Sequence, residues 1–251
     1  MRLARELEDA ILHLRFNEPA IGLWVFTSQG DPAEVAAHEA LLAGSDHWLA
    51  HEVLAYWKRV LKRLDVSARS MIALVEHGSC FAGVLAEILW AVDRSYMMED
   101  EFEGDNRPLA TVTLTDGNFG AFPMANGLSR LETRFLGAPT HVTELQELVG
   151  TSLEADAADD AGLVTMILDD IDWDDEIRIF LEERASFSPD ALTGMEANLR
   201  FAGPETMETR IFGRLTAWQN WIFNRPNAVG EEGALQRYGT GLRGQYDMDR
   251  V

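Results

Sequence analysis

In the stretch HGSCFAGVLAEILWAVDRSYM (77–97) a single carboxylate, Glu87, sits in the middle of an apolar helix. Small residues at Gly78, Ser79, Ala82 and Gly83 precede it and let a backbone approach a ligand closely. The helix that starts near Gly83 has free N–H groups and the positive end of its dipole, which could hold the oxyanion of a thioester enolate. Glu87 follows about one turn later, and an apolar setting would raise its pKa and suit it to proton transfer. Spacing alone favours a satisfied, partly exposed helix carboxylate. A second acid, Asp116, stands in the Gly-rich turn LTDGNFGAFP (114–123), where it either partners Glu87 or is an ordinary turn Asp beside glycine.

Other polar clusters carry less chemistry. His47 and His51 share a helix face with Glu52 beside them, but a zinc-protease helix needs its Glu directly after the first His, and no third ligand is in view. DDIDWDDEI (169–177) imitates the start of a calcium loop, yet Asp175 stands where that loop needs Gly and Leu181 where it needs Glu. It reads as acids gathered at a helix start. Cys80 has no His–acid pattern around it and reads as a small buried thiol. No metal site is expected.

These residues need elements to position them. Residues 3–9 read as a short helix and AILHLRFN (10–17) alternates as a strand does. GLWVFTSQGD is a strand leading to Asp31 and Pro32, an N-cap and first-turn pair. Asp46 opens a long helix with apolar residues at spacings of three and four, and SMIALVE (70–76) is a strand apolar enough to be buried on both faces. AVDRSYMM, LATVTL and LVTMIL are further strands with helices between them, and EDEFEGDNRP (99–108) is a solvated loop. Beyond about residue 172 strands give way to helices, among them one with a stripe of Met207, Ile211, Leu215, Trp218 and Ile222, and then to a tail rich in Gly, Arg and Asp. The division expected is an α/β body over 1–168 and a helical extension with an extended tail over 169–251.

With 251 residues and 47% hydrophobic content the chain can bury a large core. The net charge of −21 repels nucleic acid and anionic membranes, so neither is expected as a partner. A single cysteine, a charged start and no apolar run of membrane length predict a cytoplasmic protein.

The motifs carry a resemblance. RSMIALVEHGSCFAGVLAEILWAVDRSYM resembles the signature of the crotonase (enoyl-CoA hydratase/isomerase) superfamily, a strand, a glycine-rich turn and a helix with a Glu followed six residues later by an Asp, here Glu87 and Asp93. TDGNFGAFPMANGLSRLETRFLG is similar to the next block of that superfamily, and LEADAADDAGLVTMI to the one after it. The closer resemblance, through LRFNEPAIGLWVF, GSCFAGVLAEI, DDIDWDDEIRI, the run from Ser188 to Gly241 and the ending DRV, is to the C-terminal half of the benzoyl-CoA-dihydrodiol lyase family. The resemblance implies an α/β crotonase-like (ClpP/crotonase) core of stacked strand–helix turns with an all-helical extension. It implies hydrolytic ring opening of 2,3-epoxybenzoyl-CoA with formate release in aerobic benzoate degradation, without a metal or redox cofactor. It marks Glu87 and Asp116 as the acid–base pair, and Val84, Gly83 and Gly120 as oxyanion and substrate-binding positions.

Departures from the family pattern open a second reading. WVFTSQGDPAEV runs straight into a helix where a crotonase has an oxyanion loop. The glycine triplet has become Gly83-Val84-Leu85, and the second Glu has become Asp116. Members of the lyase family have an additional N-terminal crotonase half, which the resemblance expects to carry the catalytic carboxylates. The chain is thus either a CoA-thioester lyase polypeptide in its own right or a degenerate, non-catalytic half that scaffolds an N-terminal crotonase chain. Met1 then marks an alternative start, a split gene or a truncated reading frame. A homo-oligomer or a pairing with that N-terminal half is expected.

Overall fold

The computed structural model describes residues 1–99 and 106–250. The chain opens with α1 (Arg2–Phe16), β1 (Leu23–Thr27), α2 (Pro32–Ala43), α3 (Trp48–Asp65), β2 (Ser70–Val75), β3 (Phe81–Ala82), α4 (Gly83–Ala91) and β4 (Arg94–Met98). It continues with β5 (Val112–Thr113), a 3-10 turn over Asp116–Phe119, α5 (Arg130–Arg134), α6 (Pro139–Leu145), a second 3-10 turn over Gln146–Leu148, β6 (Ser152–Leu153), α7 (Ala155–Asp160) and β7 (Met166–Leu168). The remaining described elements are α8 (Trp173–Ala185), α9 (Pro189–Leu199), a π-helical segment (Thr209–Leu215), α10 (Thr216–Ile222), α11 (Pro226–Val229) and α12 (Ala234–Arg237).

Four strands form a parallel sheet in the order β1-β2-β4-β7. β2 lies inside it and all its residues are buried, as a strand covered on both faces must be. A second sheet, β3-β5-β6, pairs β3 with β5 in parallel and β5 with β6 antiparallel. Its strands are two residues each, too short for any alternation to show in the sequence. Packed against α1, α2 and α4, α3 buries Val53, Trp57, Val60, Leu61 and Leu64 on one face. α4 is buried almost all round and carries one charged residue, Glu87.

Several expectations are corrected. Residues 10–17 are not a strand, because α1 runs on through them to Phe16. Ala4, Glu8 and Ile11 form its buried helical stripe, and Glu8 accepts from the Tyr56 hydroxyl and from Arg63 (2.9 Å) of α3. Tertiary docking thereby selects the 3.6-residue period over the alternation of Leu12, Leu14 and Phe16, and Phe16 points to solvent. His47, not Asp46, caps α3, its ring nitrogen accepting from the Leu49 N–H (3.2 Å). The loop expected at 99–108 lies mostly outside the described residues. Asp31 does cap α2, accepting from the Ala33 N–H (2.8 Å) ahead of Pro32. Asp31→Ala should lower stability by about 1 kcal/mol, the usual loss for an N-cap, measured as a shift in the urea midpoint.

The C-terminal helices pack back on the body. Phe180 of α8 meets Tyr96 edge-on at 5.9 Å and lies under the Arg94 guanidinium. α9 is tied to the sheet by Glu196, which accepts from the Ser70 hydroxyl (3.1 Å). Just beyond its end Arg200 donates to the carbonyls of Ser67 and Arg69 and to Asp93. The final residues are extended, with Asp247 and Asn227 exchanging two hydrogen bonds and the Arg250 N–H reaching the Pro19 carbonyl. Among the described residues no helix is long and apolar enough to cross a membrane.

Candidate active site

β2 ends at Val75, the chain turns through Gly78, and β3 delivers Gly83 to the start of α4 with a φ of +47°. That left-handed conformation suits glycine, and it aims the following N–H, from Val84, out of the helix start. The expected donor is therefore presented. Its acceptor is a side chain that the sequence reading did not single out. Glu39 of α2 places Oε2 2.6 Å from the Val84 nitrogen, and its Oε1 accepts from the Thr115 hydroxyl at 2.6 Å. Ideal Cβ atoms built on Gly83 and Gly117 would lie 2.5 and 2.3 Å from the carboxylate oxygens of Glu39, so both glycines are needed for it to fit. Burial pushes the Glu39 carboxyl above its ordinary pKa, the bonds from Thr115 and Val84 pull it back, and nearby Asp116 raises it again.

Glu87 faces elsewhere. Its side chain is wholly buried, and both oxygens are taken: Oε1 accepts from Asn118 Nδ2 (2.8 Å) and Oε2 from an Arg130 guanidinium nitrogen (2.8 Å). The same guanidinium makes a two-pronged bond to Asp65 at the end of α3 (3.1 and 2.7 Å) and also donates to the Phe122 carbonyl (3.0 Å). Burial pushes Glu87 up to about 7 against the opposing pull of Arg130 and Asn118. Burial likewise raises Asp65. Asn118 has a further duty: its Oδ1 accepts from the Thr115 N–H, while its amide bridges the Gly83 carbonyl and Glu87. The 3-10 turn is thereby locked onto the start of α4.

Two cavities of about 340 Å³ each flank Glu39. One is lined by Trp57, Cys80, Val84 and Leu85, the other by Lys58, Thr115, Asp116 and Gly117, and Leu54 and Phe122 border both. Glu87 lines neither. Asp116 is exposed at the rim of the second cavity, and Gly120 (φ +126°) closes the 3-10 turn in open space. Of the expected residues, then, Val84, Gly83 and Asp116 gather around Glu39, while Glu87 is turned toward Arg130. Asp93 accepts from the Met71 N–H (2.8 Å) and pairs with Arg200 (3.3 Å). Cys80 is buried, its N–H bonded to Ser28. Ser129 and Glu132 form a reciprocal cap that sets Arg130 at the first position of α5. That S-x-x-E pattern is visible in the sequence and is the one local signal that could have drawn attention to Arg130. For Glu39, one acid in an Ala-rich helix, no such signal exists.

No protein-family model matches the chain. Over 252 aligned residues, covering all of it, the chain is 53% identical to benzoyl-CoA-dihydrodiol lyase of Aromatoleum evansii, but it spans only 44% of that relative's length. Among solved structures, an enoyl-CoA hydratase from Bacillus anthracis superposes with a TM-score of 0.70 at 17% identity, covering 99% of this chain and 89% of that one. An enoyl-CoA hydratase/isomerase from Marinobacter aquaeolei gives 0.66 at 14% identity, covering 98% and 89%. The chain therefore has the crotonase fold of the enoyl-CoA hydratases and isomerases, and along its whole length it resembles benzoyl-CoA-dihydrodiol lyase.

Proposed function

We propose that this chain is a crotonase-fold part of a CoA-thioester lyase of the benzoyl-CoA-dihydrodiol lyase type, acting on an epoxidised benzoyl thioester in cytoplasmic benzoate breakdown. Within that protein it serves as the unit that holds and completes a catalytic crotonase unit, rather than turning over substrate itself. The observation that carries this reading is the placement of Glu87. Both its oxygens are occupied, by Asn118 and by Arg130, and it borders neither cavity beside Val84. A general acid–base must reach the proton it moves, within hydrogen-bond distance or through one water. Glu87 instead anchors a buried charge network. Occupation of the Val84 N–H by Glu39 points the same way.

One observation favours a self-sufficient enzyme with Glu87 and Asp116 as its acid–base pair: burial sets Glu87 near 7, where a proton shuttle works best. An assay separates the two. The chain alone, with 2,3-epoxybenzoyl-CoA and with crotonyl-CoA, should show no turnover above background. Mixed with an N-terminal crotonase unit it should restore ring opening, and Glu87→Gln should change the restored rate less than about threefold, against the ~10²–10⁴ that loss of a general acid–base costs. Turnover by the chain alone that disappears in Glu87→Gln overturns the proposal.

A further inference from the structure

Glu39 is the single buried residue of α2, a helix otherwise half-buried or exposed, with Leu41 70% exposed. The helix is thus tied to the body by a carboxylate in a cradle together with the half-buried Leu42. The cradle is made of one backbone N–H, one hydroxyl and two glycines whose missing Cβ atoms leave room for the oxygens. Among the described residues the groups bonded to Glu39 are a backbone N–H and a hydroxyl, and the charge that acts on it, Asp116, has the same sign. The two hydrogen bonds only partly offset the desolvation of a carboxylate here, for Glu39 and for a competitor alike, so a competitor gains chiefly through its apolar part. The cradle offers two donors to a carboxylate, and on both sides of it lies space bordered by Leu54 and Phe122, with Trp57 and Leu85 adding to the wall of one cavity. Small-molecule sites have this composition: apolar walls with a few placed polar groups. Each cavity exceeds the ~150 Å³ that accommodates benzene in another protein's engineered core.

We propose that the Val84 N–H, the Thr115 hydroxyl and the two cavities form a binding site for a monocarboxylate with an apolar body, and that Glu39 is its built-in competitor. The external carboxylate takes over the bonds to Val84 and Thr115, its apolar part fills the cavity, and α2 is released as Glu39 swings out. Binding and release of the helix are then one equilibrium, and the ligand shifts it only by the difference between its own fit and that of Glu39. The site stands whether or not the chain turns over a thioester, because it needs no proton transfer.

Calorimetric titration with benzoate, with benzyl alcohol (the same ring without the charge) and with acetate (the charge without the ring) tests it. Glu39→Ala should bind benzoate at least tenfold more tightly than the wild type does, and at least tenfold more tightly than it binds either control. Thr115→Val added to Glu39→Ala should weaken benzoate again. Equal benzoate affinity in Glu39→Ala and wild type, or equal affinity for benzyl alcohol, overturns the site. Should Glu39→Ala fail to fold, Glu39→Gln carries the same comparison with at least a threefold gain expected. Should that variant fail too, saturating benzoate must raise amide exchange in α2 of the wild type and leave α3 unchanged; unaltered exchange overturns the proposal.

Discussion

Arg130→Met should lower folding stability by about 3–5 kcal/mol at pH 8, because removing one partner of a buried ion network leaves uncompensated charge. Arg130 is 1% exposed and is the shared ion-pair partner of two carboxylates, Glu87 and Asp65, that are just as buried. Methionine fills much of the volume, so little of the loss comes from a cavity. The loss should also depend on pH. Burial already raises Glu87 and Asp65, and without the guanidinium both rise further. The folded variant then holds protons that the unfolded chain has released, so its stability falls as pH rises from about 5 to 8. Urea midpoints should therefore separate from wild type more at pH 8 than at pH 5. Adding Glu87→Gln and Asp65→Asn to Arg130→Met should recover most of the loss, since the network is then neutral as a whole. A midpoint within about 0.5 kcal/mol of wild type at pH 8 would show that the charges escape to water.

The second large effect is a gain. Glu196→Gln should stabilise the protein by about 3 kcal/mol above pH 7 and leave it unchanged near pH 4, because a carboxyl that burial holds up at about 7 costs ~1.4 kcal/mol for each pH step above the point where the unfolded chain ionises. Burial pushes Glu196 up to about 7, helped by Asp93 and opposed by Arg200, the Ser70 hydroxyl and Arg184. The nearest guanidinium nitrogen is 3.5 Å from its Oε2, a looser contact than Arg130 offers Glu87. In the wild type the folded state keeps this proton while the unfolded chain loses it above about pH 4.5. Stability contributed by the protonated group is thus present at low pH and lost as pH rises through about 7. Glutamine keeps the acceptor for Ser70 and has no proton to lose, so the variant's stability should be flatter across that window. Unfolding curves of both proteins at pH 4, 6 and 8 provide the check, and parallel pH dependence in the two would sink it. The interest lies in where Glu196 sits, since it fastens α9 to the edge of β2 through Ser70.

Local signals in the chain went far toward the fold. An apolar run bounded by turns marks β2, Asp31 followed by Pro32 marks the start of α2, and small residues before Gly83 mark a turn that brings an N–H forward. These features act within a few residues of themselves, so they can be read from the sequence. Of the second sheet only β5 could be, inside the apolar run LATVTL (109–114); β3 and β6 could not, because they exist only through partners tens of residues away. Residues 10–17 failed for a related reason: two periodicities fit them, and contact with α3 decided between the two.

The site divides along the same line. Sequence by itself determined that Glu87 lies about one turn along an apolar helix opening near Gly83, which follows from spacing and helix geometry, while Val84 was marked as a donor by the family resemblance alone. Only the tertiary structure decided what each of them meets. Glu39 is 45 residues from Val84, and Arg130 is 43 from Glu87. A carboxylate's role depends on which charges and donors reach it once water is gone, and that depends on distances that no local pattern encodes. Once folded, Glu87 is met by Arg130 and Asn118, and the Val84 N–H by Glu39, a residue that no local pattern marks.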